Sequence, residues 1–240
     1  MDLEAIAYQA GVKSFTGYLA DGSRGKPAPG VLVAHEGGGL TMHAKQRAKM
    51  LAELGYVAFA MDIFGEPPPE LERGKALLRA LRADLLELRA RARAALAVLS
   101  DRPSVDAARL AAIGFCFGGT TVLELARDGT DLKAVIGFHA GLDTTRPQDA
   151  AAIRGKVLVC LGGDDPIVNA AQRAAFAAEM NAANVDWQMH LYGGVGHSFT
   201  NQEIDAFGYP GFRYDAAADR RSWRAMRDLL SEALGDVEAP

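Results

Sequence analysis

RLAAIGFCFGGTTVLELARD, residues 109–128, decides the architecture. Leu110 to Ile113 form an apolar run of strand type, and Thr121 to Ala126 open a helix, so the chain passes from strand to helix within a few residues around Cys116. A turn that sharp forces its tip residue into a disfavoured backbone conformation and requires small neighbours two positions either way, here Gly114 and Gly118. The tip side chain then stands above the first turn of a helix, where free N–H groups and the helix dipole favour negative charge. For a cysteine this means an exposed sulfur with a lowered thiol pKa. The competing reading is a buried strand-end cysteine, because free cysteine is among the most buried residue types. Partners elsewhere in the chain decide between them.

Outward from this element, strands of parallel type alternate with helices. Val31 to Ala34, Tyr56 to Ile63, Leu132 to His139, Lys156 to Leu161 and Asp186 to Tyr192 read as strands. Ala44 to Leu54, Ala170 to Ala183 and Asp215 to Leu234 read as helices, and Glu70 to Leu99 as one broken or two consecutive helices whose arginines form a solvated face with charge pairs to Asp84 and Glu87. Two alternating segments, Ala5 to Gln9 and Lys13 to Leu19, start the sheet in antiparallel fashion. No repeat or composition break marks a second domain, so residues 1–240 are read as one α/β domain with a mostly parallel central sheet and helices on both faces.

In such sheets ligands bind beyond the carboxyl ends of the strands. After Leu161 comes GGDDPIV, with Asp164 and Asp165, and after Tyr192 comes GGVGHSF, with His197. The order nucleophile, acid, histidine is that of the α/β-hydrolase triad. His197 would exchange the thiol proton of Cys116, and Asp165, directly before Pro166, would fix the histidine tautomer, with Asp164 a turn residue or fallback. The N–H of Phe117 is one oxyanion donor and the loop after the Val31 strand supplies the other, assigned to Gly37. The Gly37 to Gly39 run is no phosphate loop, since no Lys-Ser or Lys-Thr pair follows it. Glu36 stays open: pointed inward it would raise the thiol pKa or share its proton, pointed outward it would be solvated. Phe64, Phe199, Asn201 and Tyr209 are the expected pocket residues.

A formal charge of −4 and 23% charged residues give no reason to expect nucleic acid or an anionic membrane as partner. The two cysteines have no metal or redox spacing, which points to reduced thiols in the cytoplasm without metal or cofactor. Residues 1–30 lack a secretory pattern and no apolar run of about eighteen residues occurs.

GFCFGG around Cys116, GGDDPIV around Asp165, GHSF around His197 and Glu36 at the first strand end together resemble the dienelactone hydrolase family, from about residue 13 onward. The resemblance implies a compact α/β-hydrolase fold and a Cys–His–Asp triad that opens a small ester or lactone through a thioester. It also gives Glu36 a role: in that family the matching glutamate interacts with the nucleophilic thiol and moves when substrate arrives. One departure stands out. Family members that cleave dienelactone carry an arginine four residues after the histidine to grip the substrate carboxylate, and here that position is Asn201. Losing a bidentate Arg–carboxylate contact argues against dienelactone itself, although Arg79, Arg82 or Arg213 are possible substitutes. The expected partner is a small ester or lactone and the expected state a monomer or homodimer. A non-catalytic ligand-binding member of the fold is the alternative, and a redox thiol ranks last for want of a resolving cysteine.

Overall fold

The computed structural model describes residues 2–237. An eight-stranded sheet runs in the order β1-β2-β4-β3-β5-β6-β7-β8. Strands β1 (Glu4–Ala10) and β2 (Lys13–Asp21) pair antiparallel, and β2 pairs antiparallel with β4 (Val57–Met61). From β4 onward all pairings are parallel, through β3 (Ala28–Ala34), β5 (Val105–Phe115), β6 (Ala134–Phe138), β7 (Lys156–Gly162) and β8 (Trp187–Tyr192).

The central strands read as unbroken apolar runs because both their faces are covered. In β3, Leu32 and Ala34 pack into one core while Val31 and Val33 pack into the other. The first core is closed by α2 (Leu71–Ala83), α3 (Leu85–Ser100), α4 (Phe117–Arg127) and α5 (Ala170–Ala182), the second by α1 (Met42–Glu53) and α6 (Ala216–Leu234). The segment from residue 71 to 100 is two helices. Asp84 breaks it at φ −121°, ψ 80° and its carboxylate accepts the Glu87 N–H, so one residue ends α2 and caps α3.

Two arginines of α3 correct the solvated-face expectation. Arg89 is buried and donates to Glu124 on α4 and to Asp149, and Arg91 is buried and donates to Glu87 and to the Ile63 carbonyl. Helical periodicity carries no sign that a polar face is turned inward onto acidic partners from distant segments. No helix among the described residues is long and apolar enough to cross a membrane.

Candidate active site

The strand-to-helix turn is as tight as the glycines demand. Cys116 adopts φ 51°, ψ −114° as the N-cap of α4. A Cβ on Gly114 would lie 2.1 Å from the Gly118 carbonyl oxygen, and one on Gly118 would lie 2.2 Å from the Ala34 carbonyl oxygen. Neither backbone atom can retreat, so only glycine permits the turn. Phe117 is the first residue of α4, and a first-turn N–H is left free by the helix's own ladder.

Of the two acidic residues after β7, the structure separates the roles. Asp164 is exposed, whereas Asp165 is buried, takes the Ile167 and Val168 N–H groups on Oδ1 at 2.7 and 3.2 Å, and holds His197 Nδ1 on Oδ2 at 2.7 Å. Two backbone donors lock the carboxylate, and the carboxylate locks the ring with Nε2 aimed the other way. Nε2 makes no hydrogen bond in this geometry and lies within the field of the Cys116 sulfur. Burial pushes the imidazole toward neutrality, but the negative charge of Cys116 and the bond to Asp165 outweigh it and raise His197 to about 10. The ring is also boxed in by Phe212 and His139, at 4.7 and 5.2 Å between ring centroids.

Glu36 follows β3. Its Oε2 accepts from Asn201 Nδ2 at 2.5 Å, while Oε1 is buried with no hydrogen-bond partner. Gly37 packs under Leu78 of α2. Phe64 and Phe199 are sealed in the interior, Phe64 against His35 and Phe117 and Phe199 against His139 and Tyr192, so they back the site and present it no open surface. Tyr209 is half-buried, between Phe207 and Phe212. A cleft of about 280 Å³ is lined by Asp164, Gly194, Gly196, Gly211, Phe212 and Arg213, and Cys116 is not among its lining residues. Among the described residues, no three His, Cys, Asp or Glu side chains are grouped as a metal site.

Sequence reading overlooked a further set of polar groups. His139, at the end of β6 with φ 38°, accepts the Cys116 N–H on Nδ1 at 3.1 Å and meets Thr200 Oγ1 through Nε2 at 2.8 Å. His43 of α1 and Arg47, one turn on, reach Thr200 as well. The position of His139 just beyond a strand was a usable signal; nothing in the sequence marked His43.

The sequence profile of the dienelactone hydrolase family matches residues 15–234. The chain belongs to the dienelactone hydrolase family. With that family it is a carboxylic ester or lactone hydrolase of α/β-hydrolase fold. The solved structure named m3DLH is 46% identical, covers 97% of this chain and 98% of its own, and superposes with a TM-score of 0.93. A structure described as a dienelactone hydrolase-like promiscuous phosphotriesterase from metagenomic libraries is 40% identical, covering 98% and 99% of the two chains at a TM-score of 0.93. A Bradyrhizobium protein named "probable 2-oxo-3-(5-oxofuran-2-ylidene)propanoate lactonase" is 28% identical over 75% of this chain and 76% of its own.

Proposed function

We propose that this dienelactone hydrolase family member cleaves small esters or lactones by nucleophilic attack of Cys116, with His197 as the proton carrier and Asp165 as its anchor. The observation that carries the reading is His197 Nδ1 held at 2.7 Å by the buried Asp165, beside a thiol on a strained helix-capping elbow whose charge pushes the imidazole up. An imidazole raised in this way is placed to hold a proton beside Cys116 and to pass it on as a general acid.

The thiolate attacks the carbonyl carbon, and the negative charge that develops on oxygen meets the N–H groups of Phe117 and Gly37. As the C–O bond breaks, the His197 proton passes to the leaving alkoxide and a thioester remains on Cys116. Water then attacks the thioester carbon, gives its proton to His197, and the C–S bond breaks to release the carboxylic acid and restore the thiolate. Glu36 borders this site and modulates the thiol. Asn201 spends its amide on Glu36 and is therefore not free to grip a substrate carboxylate. Of the arginines that are possible substitutes, Arg213 turns to the Gly194 carbonyl, while the Arg82 guanidinium lies 6.0 Å from the Phe117 ring centroid. The engaged Asn201 amide points to a small ester or lactone as substrate, with Arg82 set over the elbow residue Phe117. The two free thiols fit a reducing cytoplasm.

The deciding experiment is hydrolysis of p-nitrophenyl acetate and of dienelactone by wild type and Cys116→Ala, with intact mass after a rapid quench. Turnover lost in the variant together with an acetyl adduct on wild type supports the reading. Persistent turnover by Cys116→Ala refutes it, and no turnover of either substrate by the folded wild type favours the non-catalytic ligand-binding alternative.

A further inference from the structure

Tautomers along the overlooked polar cluster follow from donor and acceptor counts. The Cys116 N–H is a donor, shared between the Phe138 carbonyl at 3.0 Å and His139 Nδ1 at 3.1 Å, so Nδ1 accepts and the His139 proton sits on Nε2. That proton goes to Thr200 Oγ1 at 2.8 Å. The threonine hydroxyl then has its own proton to place, and His43 Nε2 lies 3.3 Å away. His43 Nε2 also lies 3.2 Å from the Thr200 carbonyl, which takes Arg47 Nη2 at 2.6 Å on one of its two lone pairs; the Glu36 carboxylate beside Nδ1 favours the His43 proton there and leaves Nε2 to accept from the hydroxyl. With Nε2 accepting, the His43 proton is on Nδ1, which has no hydrogen-bond partner and faces Glu36 Oε2 at 3.9 Å.

We propose that His43, Thr200 and His139 form a one-directional hydrogen-bond chain ending on the amide of Cys116, with the Glu36 carboxylate beside its far end, and that Thr200 and His139 are positioning residues for the nucleophile. The proposal rests on Cys116 being that nucleophile. The chain works only if both imidazoles are neutral, since a second proton on His139 would turn its Nδ1 from acceptor to donor against the Cys116 N–H. Several groups bear on that requirement. His139 is fully buried, with the His197 ring 5.2 Å away and Glu36 Oε1 4.0 Å from its Nε2, and Arg47 with its partner Asp219 lies behind Thr200. Burial, followed by the His197 charge, lowers His139 well below the ordinary histidine range, and burial likewise lowers His43. The backbone at both ends is held under strain: Cys116 at φ 51° and His139 at φ 38° are side-chain-bearing residues in a region that few adopt. A bond between those two residues fixes both turns at once. The far end of the chain lies in the field of Glu36, whose Oε2 is 3.9 Å from His43 Nδ1.

The test exploits the near-identical shapes of threonine and valine. Thr200→Val removes only the hydroxyl, and Thr200→Ser restores it. With p-nitrophenyl acetate, Thr200→Val is expected to lower kcat about tenfold with KM within about twofold, the size of one buried polar group left unpaired. It is also expected to alter the pH profile of Cys116 alkylation by iodoacetamide, whereas Thr200→Ser stays close to wild type in both. A packing role predicts the reverse order, with valine the better replacement. Thr200→Val matching wild type, or Ser and Val behaving alike, overturns the chain. If Thr200→Val fails to fold by circular dichroism, His43→Phe keeps the ring packed on Phe115 and breaks the same chain one link out: lowered kcat supports the proposal, unchanged kcat overturns it. Cys116→Ala run in parallel keeps the two ideas apart. Turnover surviving in that variant fails the nucleophile, while a dead Cys116→Ala beside a wild-type-like Thr200→Val fails the chain alone.

Discussion

Asn201 Nδ2 donates to Glu36 Oε2 at 2.5 Å, tying the loop after β8 to the loop after β3 across 165 residues of sequence. A charged acceptor on an amide donor is worth about 1.5–3 kcal/mol. Asn201→Ala releases Glu36 from that anchor and leaves its carboxylate free to turn toward the thiol. We expect the alkylation profile of Cys116 to change in Asn201→Ala and to return toward that of Glu36→Gln in the double variant. A double-mutant cycle reads the coupling directly; additive effects would show that the amide does nothing to the carboxylate.

His197 should remain an imidazolium well above neutral pH. Nitrogen-15 NMR of labelled histidine is expected to show it titrating near 10, and to show a fall in Cys116→Ala, where the opposing negative charge is gone. An unfolded histidine titrates at about 6.5. Because the folded value lies higher, the charged ring contributes its stabilisation in full below pH 6.5 or so and loses it progressively as pH rises toward 10. A His197 that titrates near 6.5 in wild type would contradict the ion pair.

Gly118→Ala places a methyl carbon 2.2 Å from the Ala34 carbonyl oxygen and 2.5 Å from that of His35, both backbone. The elbow must open or β3 must move. Overpacking of this kind costs about 1–3 kcal/mol or more, and a displacement of about 1 Å at a reacting atom costs roughly a hundredfold in rate. Urea unfolding and ester kinetics together check both; wild-type kcat in a folded Gly118→Ala would mean that the turn is far softer than its geometry implies.

Glu124 on α4 is fully buried between Arg89 of α3 and Arg127, which itself reaches Glu179 of α5. Removing one member of a buried ionic group strands the others, at about 3–5 kcal/mol. Glu124→Ala is expected to lower the urea midpoint accordingly, while kcat of the molecules that remain folded changes little. A loss under about 1 kcal/mol would mean that water or Asp149 replaces the carboxylate.

The parts of this molecule that could be read from sequence are those with a local signature. Apolar runs such as Val31 to Ala34 and Lys156 to Leu161 announced strands covered on both faces, and the Gly114–Cys116–Gly118 spacing announced the elbow. The first half of β5 escaped because Asp106, Ala107, Ala108 and Arg109 lie on a strand end that is partly exposed and carries charge. Asp165 and Asp164 could be ranked only by the proline that follows, and burial separates them. His43, Thr200 and the inward arginines of α3 belong to contacts between segments more than a hundred residues apart, or between neighbouring helices, where pattern along the chain is silent. Phe64 and Phe199 show the converse error, aromatic residues near a site in sequence that support it from within the core.

Cys160 lies in the middle of β7, fully buried, and burial pushes its thiol up to about 12. The other thiol, Cys116, is partly exposed and is the proposed nucleophile. A folded sample therefore responds to a mild alkylating or disulfide-exchange reagent at one sulfur, and a second equivalent is consumed only after denaturant is added. The ratio of the two readings gives the fraction of folded molecules in any preparation, so the protein supplies its own internal standard for thiol accessibility.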